Sequence, residues 1–190
     1  MALERDIAQF ADASAFADWL TENHADHLGI RMKIAKSASV ITTVSYDDAV
    51  SVALRYGWID GPKASLDTDF YLQTFSPRRP KSVWSKRNVD RVMAMIADGT
   101  MQPAGLVQMD AAKADGRWDR AYQGSRGSTP DPQFLKALGK NPAAKKFYKT
   151  LNAANRYALY YRIQSAVKPE TRERRIEAFV EMLARGETFH

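Results

Sequence analysis

The chain has 190 residues, enough for one domain or a domain with an appended helical segment, and enough to bury about two thirds of its unfolded surface. It contains no cysteine, which excludes disulfides, thiol nucleophiles and zinc-thiolate sites and fits a reducing cytosol. Its formal charge of +6 favours acidic partners such as nucleic acid, phosphorylated metabolites or an anionic surface, and no run approaches the roughly 18 apolar residues of a membrane span.

The opening Met1-Ala2-Leu3-Glu4-Arg5-Asp6 carries acids before any apolar run begins, so neither a signal peptide nor an anchor is expected. Residues 14–23 predict a first helix, with Phe16, Trp19 and Leu20 on one face and Ser14 as its cap. His24, Asp26 and His27 at its far end lack a further strong ligand, and no metal site is expected. In residues 29–35, Ile30, Met32 and Ile34 alternate with Arg31, Lys33 and Ala35, the period of a half-buried strand with a basic outer face.

Ser45, with Asp48 three residues on, reads as the N-cap of a helix whose face carries Tyr46, Ala49, Val50, Ala53 and Leu54. That helix leads through Gly57 into Trp58. A turn is expected at Gly61-Pro62 and a β-hairpin around Leu66-Asp67-Thr68-Asp69. Ser85 then caps a helix bearing Val89, Val92, Met93, Ile96 and Ala97, ended by Asp98-Gly99. Pro103 starts another, with Leu106, Met109 and Ala112 on one side.

Residues 124–130 are the most linker-like stretch, rich in glycine and serine. Beyond them the pattern is helical: Asp131-Pro132 and Asn141-Pro142 each place a cap before a proline at the first helical position. Phe147, Tyr148 and Leu151 form one apolar stripe, and Ile176, Phe179, Val180 and Leu183 another on a last helix running from near Pro169 to Gly186. The expected fold is α+β: predominantly helical with a small antiparallel β-sheet, plus a C-terminal helical module. The expected division is a core domain at residues 1–123, a linker at 124–130 and the module at 131–190.

The chemistry concentrates in residues 57–88. Pro77 and Pro80 hold the backbone extended around Arg78, Arg79 and Lys81, and Ser82, Ser85 and Asn88 stand at the start of the following helix, where free N–H groups can receive an anion. Arginine forks there suit a phosphate or a carboxylate. The competing reading pairs Arg78 and Arg79 with Asp60, Asp67 or Asp69 and assigns the tryptophans to the core. Asp60 is either such a partner or, in a cleft, a general base. Trp58, Trp84, Trp118 and Tyr122 beside Arg117 and the other cations also make the mixture that binds single-stranded nucleic acid, against which stands their ordinary use as core. Ser165-Ala166-Val167-Lys168 matches Ser-x-x-Lys, but no Lys-Thr-Gly follows and no acyl transfer is inferred. Arg172, Arg174 and Arg175 near a positive helix end point to a nearby acidic contact.

Gly57-Trp58-Ile59-Asp60-Gly61, the run from Phe75-Ser76-Pro77-Arg78-Arg79-Pro80 to Asn88, Ala104-Gly105-Leu106 and Asp115-Gly116-Arg117-Trp118 resemble the bacterial YdeI/OmpD-associated family, also called the bacteriocin-protection family. Phe134-Leu135-Lys136-Ala137-Leu138, Asn141-Pro142 and Lys168-Pro169-Glu170-Thr171-Arg172-Glu173-Arg174-Arg175-Ile176 resemble its C-terminal helical module. The resemblance spans residues 16–186 and implies a small α+β fold, a cytoplasmic protein and an association with tolerance of bacteriocins or envelope-directed antimicrobial stress. It implies no reaction, no cofactor and no catalytic residue.

The expectation is therefore a non-enzymatic protein that binds an anionic small molecule or an acidic protein partner without membrane insertion. Its candidate ligand-binding residues are Arg78, Arg79, Lys81, Ser82 and Trp84 on the loop, Ser85 and Asn88 at the helix start, and Trp58, Asp60, Arg117 and Trp118 around them. The alternatives are an enzyme of unknown reaction using Asp60 in the same cleft and a single-stranded nucleic-acid-binding protein.

Overall fold

The alternation of Ile30, Met32 and Ile34 with Arg31, Lys33 and Ala35 is realised as an interior strand of a four-stranded sheet. The computed structural model describes residues 5–125 and 127–189. They divide into two units, residues 5–84 with Asn88–Ala121, and Ser85–Arg87 with the residues from Tyr122 onward. Among the described residues the sheet is accompanied by eight helices, none long and apolar enough to cross a membrane.

In chain order the first unit holds β1 (Ile7–Gln9), α1 (Ala13–Asn23), β2 (Ile30–Ala35), α2 (Tyr46–Arg55), β3 (Trp58–Ser65), β4 (Phe70–Pro77), α3 (Lys86–Ala97, in this unit from Asn88) and α4 (Pro103–Ala114). The sheet order is β1-β2-β4-β3. The expected antiparallel pairs are present, and β1 adds a parallel edge in which Ile7 faces Arg31. At three residues, β1 is too short for its alternation to register in sequence. The registers Ile30↔Phe75, Met32↔Gln73 and Ile34↔Tyr71 carry the inward face of β2 across to β4. Phe16, Leu20, Leu54, Trp58, Phe75 and Trp84 are among the buried side chains of this core.

Three local expectations change. The cap of α1 is Asp12, whose carboxylate accepts the Ala15 N–H at 2.9 Å, and Ser14 lies inside the first turn. Gly61-Pro62 forms no turn: β3 runs through it on the sheet edge, with a register shift between Asp60 and Lys63, where proline is tolerated. The buried Gln73 amide donates to the Gly61 carbonyl at 2.7 Å, supplying the bond that the irregular ladder withholds. On α3, Met93 and Ile96 are exposed, and the buried positions are Asn88, Val89, Val92 and Met95, a stripe lying one residue earlier in the chain.

The Ser45 cap forms as expected, accepting the Asp48 N–H at 3.1 Å while its hydroxyl donates to the Asp48 carboxylate at 2.7 Å. The other end of α2 explains the glycine before Trp58. Gly57 has a φ of 75°, the left-handed position that ends a helix, and a Cβ there would stand 2.9 Å from the Ala104 carbonyl oxygen. The turn out of α2 thus leads straight into β3.

The second unit contains α5 (Pro132–Gly139), α6 (Pro142–Thr150), α7 (Ala153–Gln164) and α8 (Pro169–Ala184). Asp131 and Asn141 cap α5 and α6 ahead of their prolines. The helix not placed from sequence is α7, capped by Asn152; Tyr157, Tyr160 and Tyr161 interrupt the clean apolar stripe that would mark it. Phe134, Leu138, Leu159, Ile163, Ile176 and Leu183 are buried in the core of this unit.

Candidate functional site

The antiparallel pairing of β3 and β4 brings Gly57 and Trp58 beside Pro77 and Arg78. Trp58 lies opposite Pro77, and the Arg78 N–H donates to the Gly57 carbonyl at 3.0 Å. The side chains then diverge. Trp58 is 1% exposed, packs edge-on against Trp19 at 5.8 Å between ring centres and donates its indole N–H to the His24 carbonyl at 3.0 Å. Asp60 accepts the Tyr46 hydroxyl at 2.8 Å and borders a hollow of about 360 Å³ with Lys63, Tyr71 and Gln73. The Lys63 ammonium sits 3.7 Å from the centre of the Tyr71 ring, and burial pushes the Tyr71 hydroxyl pKa above its ordinary value.

No ion pair between Asp60, Asp67 or Asp69 and the arginines forms among the described residues. Asp67 accepts the Asp69 and Phe70 N–H groups, and Asp69 accepts the Ser39 hydroxyl. Arg78 instead lies buried, 6% exposed, with its guanidinium centred 3.6 Å above the Trp84 ring and Nη1 donating to the Val83 carbonyl at 3.2 Å. An aromatic face offers a cation its negative quadrupole, and desolvation strengthens the attraction. Trp84 in turn packs edge-on against Trp118 at 4.9 Å, and its buried Nε1–H has no acceptor among the described residues.

Arg117 holds the same loop from α4's side. Its Nη1 donates to the Ser82 carbonyl at 2.9 Å while Nε donates to the Asp115 carboxylate at 2.7 Å; that hydrogen bond holds the exposed Asp115 carboxyl below the ordinary carboxylate range. Within the loop the Arg79 N–H donates to the Ser82 hydroxyl at 3.0 Å, and the Ser82 N–H returns a bond to the Arg79 carbonyl at 2.9 Å. The guanidinium groups of Arg78 and Arg117 are thus used in shaping the backbone. The side chains of Arg79 and Lys81 are exposed, with no acidic partner among the described residues.

The loop therefore gathers Arg78, Arg79, Lys81, Ser82, Trp84, Arg117 and Trp118, and leaves the Trp58 ring and the Asp60 carboxylate facing elsewhere. Asn88 is buried on the first turn of α3. Ser85 belongs to the second unit, where it bridges to Tyr122, and the Lys86 N–H donates to the Tyr122 carbonyl at 2.8 Å. A donor expected to await an anion at that helix start is already engaged. With Trp58 and Trp84 1% and 2% exposed, neither ring offers a face for base stacking.

Among the described residues no group of three or more histidines, aspartates or glutamates can hold a metal ion. The His24 ring bonds the Leu20 carbonyl at 2.9 Å, and the His27 ring accepts the Gly29 N–H at 3.1 Å. Sequence reasoning missed a second feature, a cavity of about 230 Å³ in the second unit between Phe134, Tyr148, Arg156, Tyr157 and Tyr160. Its signal was the run Arg156-Tyr157-Ala158-Leu159-Tyr160-Tyr161-Arg162, denser in tyrosine than a helix core requires.

Residues 8–108 match a family model described as a domain of unknown function, DUF8412, and residues 129–186 match the model described as Bacteriocin-protection, YdeI or OmpD-Associated. Neither a curated protein nor a solved structure matches the chain significantly. The motifs of residues 57–88 fall within the first match, and those of α5, α6 and α8 within the second. The chain belongs to the family defined by the domain of unknown function DUF8412, and its residues 129–186 are similar to the Bacteriocin-protection, YdeI or OmpD-Associated model.

Proposed function

We propose that this is a non-enzymatic cytoplasmic protein that binds a phosphate- or carboxylate-bearing partner in tolerance of bacteriocins or envelope-directed antimicrobial stress, with Arg79 and Lys81 as the contact cations. The supporting observation is the loop itself. Arg78 stacked on Trp84 and Arg117 bonded to the Ser82 carbonyl hold its backbone, and the two cations it exposes have no internal acidic partner among the described residues. Fixed backbone lowers the ordering cost of binding, and an arginine fork beside a lysine point charge suits oxyanions. The bacteriocin role rests on the description of the matched C-terminal module.

The test is thermal melting of the full chain with inorganic phosphate, using chloride at equal ionic strength as control. At a hundredfold excess over Kd, a single site stabilises by about 2.7 kcal/mol, a rise of roughly 5–10 °C for a chain of this size. The Arg79→Ala/Lys81→Ala variant should melt normally and lose that rise. No rise in the wild type, or an equal rise in the variant, removes the reading.

A further inference from the structure

The cavity of the second unit is bounded by α5, α6 and α7 and by the segment entering α5. Successive turns of α7 supply Ala153, Arg156, Tyr157 and Tyr160, the i, i+3, i+4, i+7 positions of one face. Phe134, Leu159 and Ile163 are its buried apolar lining, and Tyr148, Tyr157 and Tyr160 are half-buried. We propose that this cavity binds a monocyclic aromatic carboxylate, its ring among the tyrosines and its carboxylate on Arg156.

Size selects the ring. An apolar cavity of about 150 Å³ accepts benzene, and pockets for drug-sized ligands begin near about 300 Å³. At about 230 Å³ this one suits a single ring with one small substituent.

Charge selects the carboxylate. The acidic residue in the lining, Asp131, is committed: it accepts the Gln133 and Phe134 N–H groups at 2.8 and 3.0 Å and pairs with Arg172. Arg156 has no carboxylate partner among the described residues. Its Nη2 donates to the Lys149 carbonyl at 2.9 Å, and its guanidinium lies 5.4 Å from the centre of the Tyr148 ring. The cation is thereby held at the rim before any ligand arrives. Burial raises the pKa of the Tyr148 and Tyr157 hydroxyls, so both are protonated at neutral pH and remain donors. A ring of tyrosines alone would suit an ammonium, but the uncompensated guanidinium repels one.

Titration of benzoate into the isotopically labelled full chain, followed by amide NMR, tests the inference. Saturable shifts are expected in α6 and α7, with at least tenfold weaker binding of the uncharged isostere benzamide. Arg156→Gln, at an exposed position, should weaken benzoate at least tenfold. Ala153→Trp, which fills the mouth from the exposed start of α7, should abolish binding. The Arg79→Ala/Lys81→Ala variant should bind benzoate normally, which separates this site from the loop of the first unit. Absence of saturable shifts, benzamide binding as tight as benzoate, or unchanged benzoate affinity in either cavity variant overturns the proposal.

Discussion

Arg78 helps to hold the loop through its position over Trp84. Its planar guanidinium covers the ring at 3.6 Å while one edge donates to the Val83 carbonyl. A lysine has no plane to stack and no fork to reach the carbonyl in the same pose. Arg78→Lys should therefore cost about 2 kcal/mol of stability, read as a lower denaturant midpoint at unchanged slope; an unchanged midpoint would show that charge alone suffices. Asp131 is a second residue with several partners, capping α5 through two N–H groups and pairing with Arg172. Asp131→Ala should cost about 3–5 kcal/mol, because it leaves a cation without its buried partner and the helix without its cap. Arg172→Met should cost less, about 2 kcal/mol, since the two N–H groups still hold the carboxylate. Equal losses in urea unfolding would refute this ordering.

Among the elements, α2 and α4 set the geometry around Gly57. A Cβ on Gly105 would fall 2.3 Å from the Arg55 carbonyl oxygen and 2.7 Å from that of Leu54. Both obstacles are backbone and cannot rotate away. Gly105→Ala should thus cost about 3 kcal/mol, at the upper end for overpacking, despite alanine's better helix propensity; a variant as stable as the wild type would show that the helices separate freely. The same packing explains why the motifs around Gly57 and Gly105 occur in one chain, since each glycine admits a backbone segment of the other's element.

For the molecule as a whole, the half-buried tyrosines govern the alkaline limit. Burial raises the folded-state pKa of Tyr71, Tyr148 and Tyr157 above the ordinary 10.0. A raised pKa means that the folded chain holds those protons more tightly than the unfolded one. Their stabilising contribution is complete below pH 10.0 and is lost as pH rises through the higher folded values. The melting temperature should fall as pH rises above 10.0, and Tyr157→Phe should flatten part of that fall. An identical slope in the variant would place the alkaline sensitivity elsewhere.

What was legible in the sequence was local. The Ser45, Asp131 and Asn141 caps, the alternation of β2 and the hairpin of β3 and β4 all form as expected, because each depends on groups within a few residues of one another or on a single chain period. The meeting of Trp58 with Pro77 was legible for the same reason, as one hairpin joins them. Tertiary structure decided the partners. Asp60 meets Tyr46 and Trp58 meets the His24 carbonyl, while Asp131 meets Arg172 from 41 residues away. Such choices depend on which faces pack together, as does the tyrosine-lined cavity, which exists only where α5, α6 and α7 fail to fill the space between them. Periodicity names the face a helix will bury; only packing determines what that face meets.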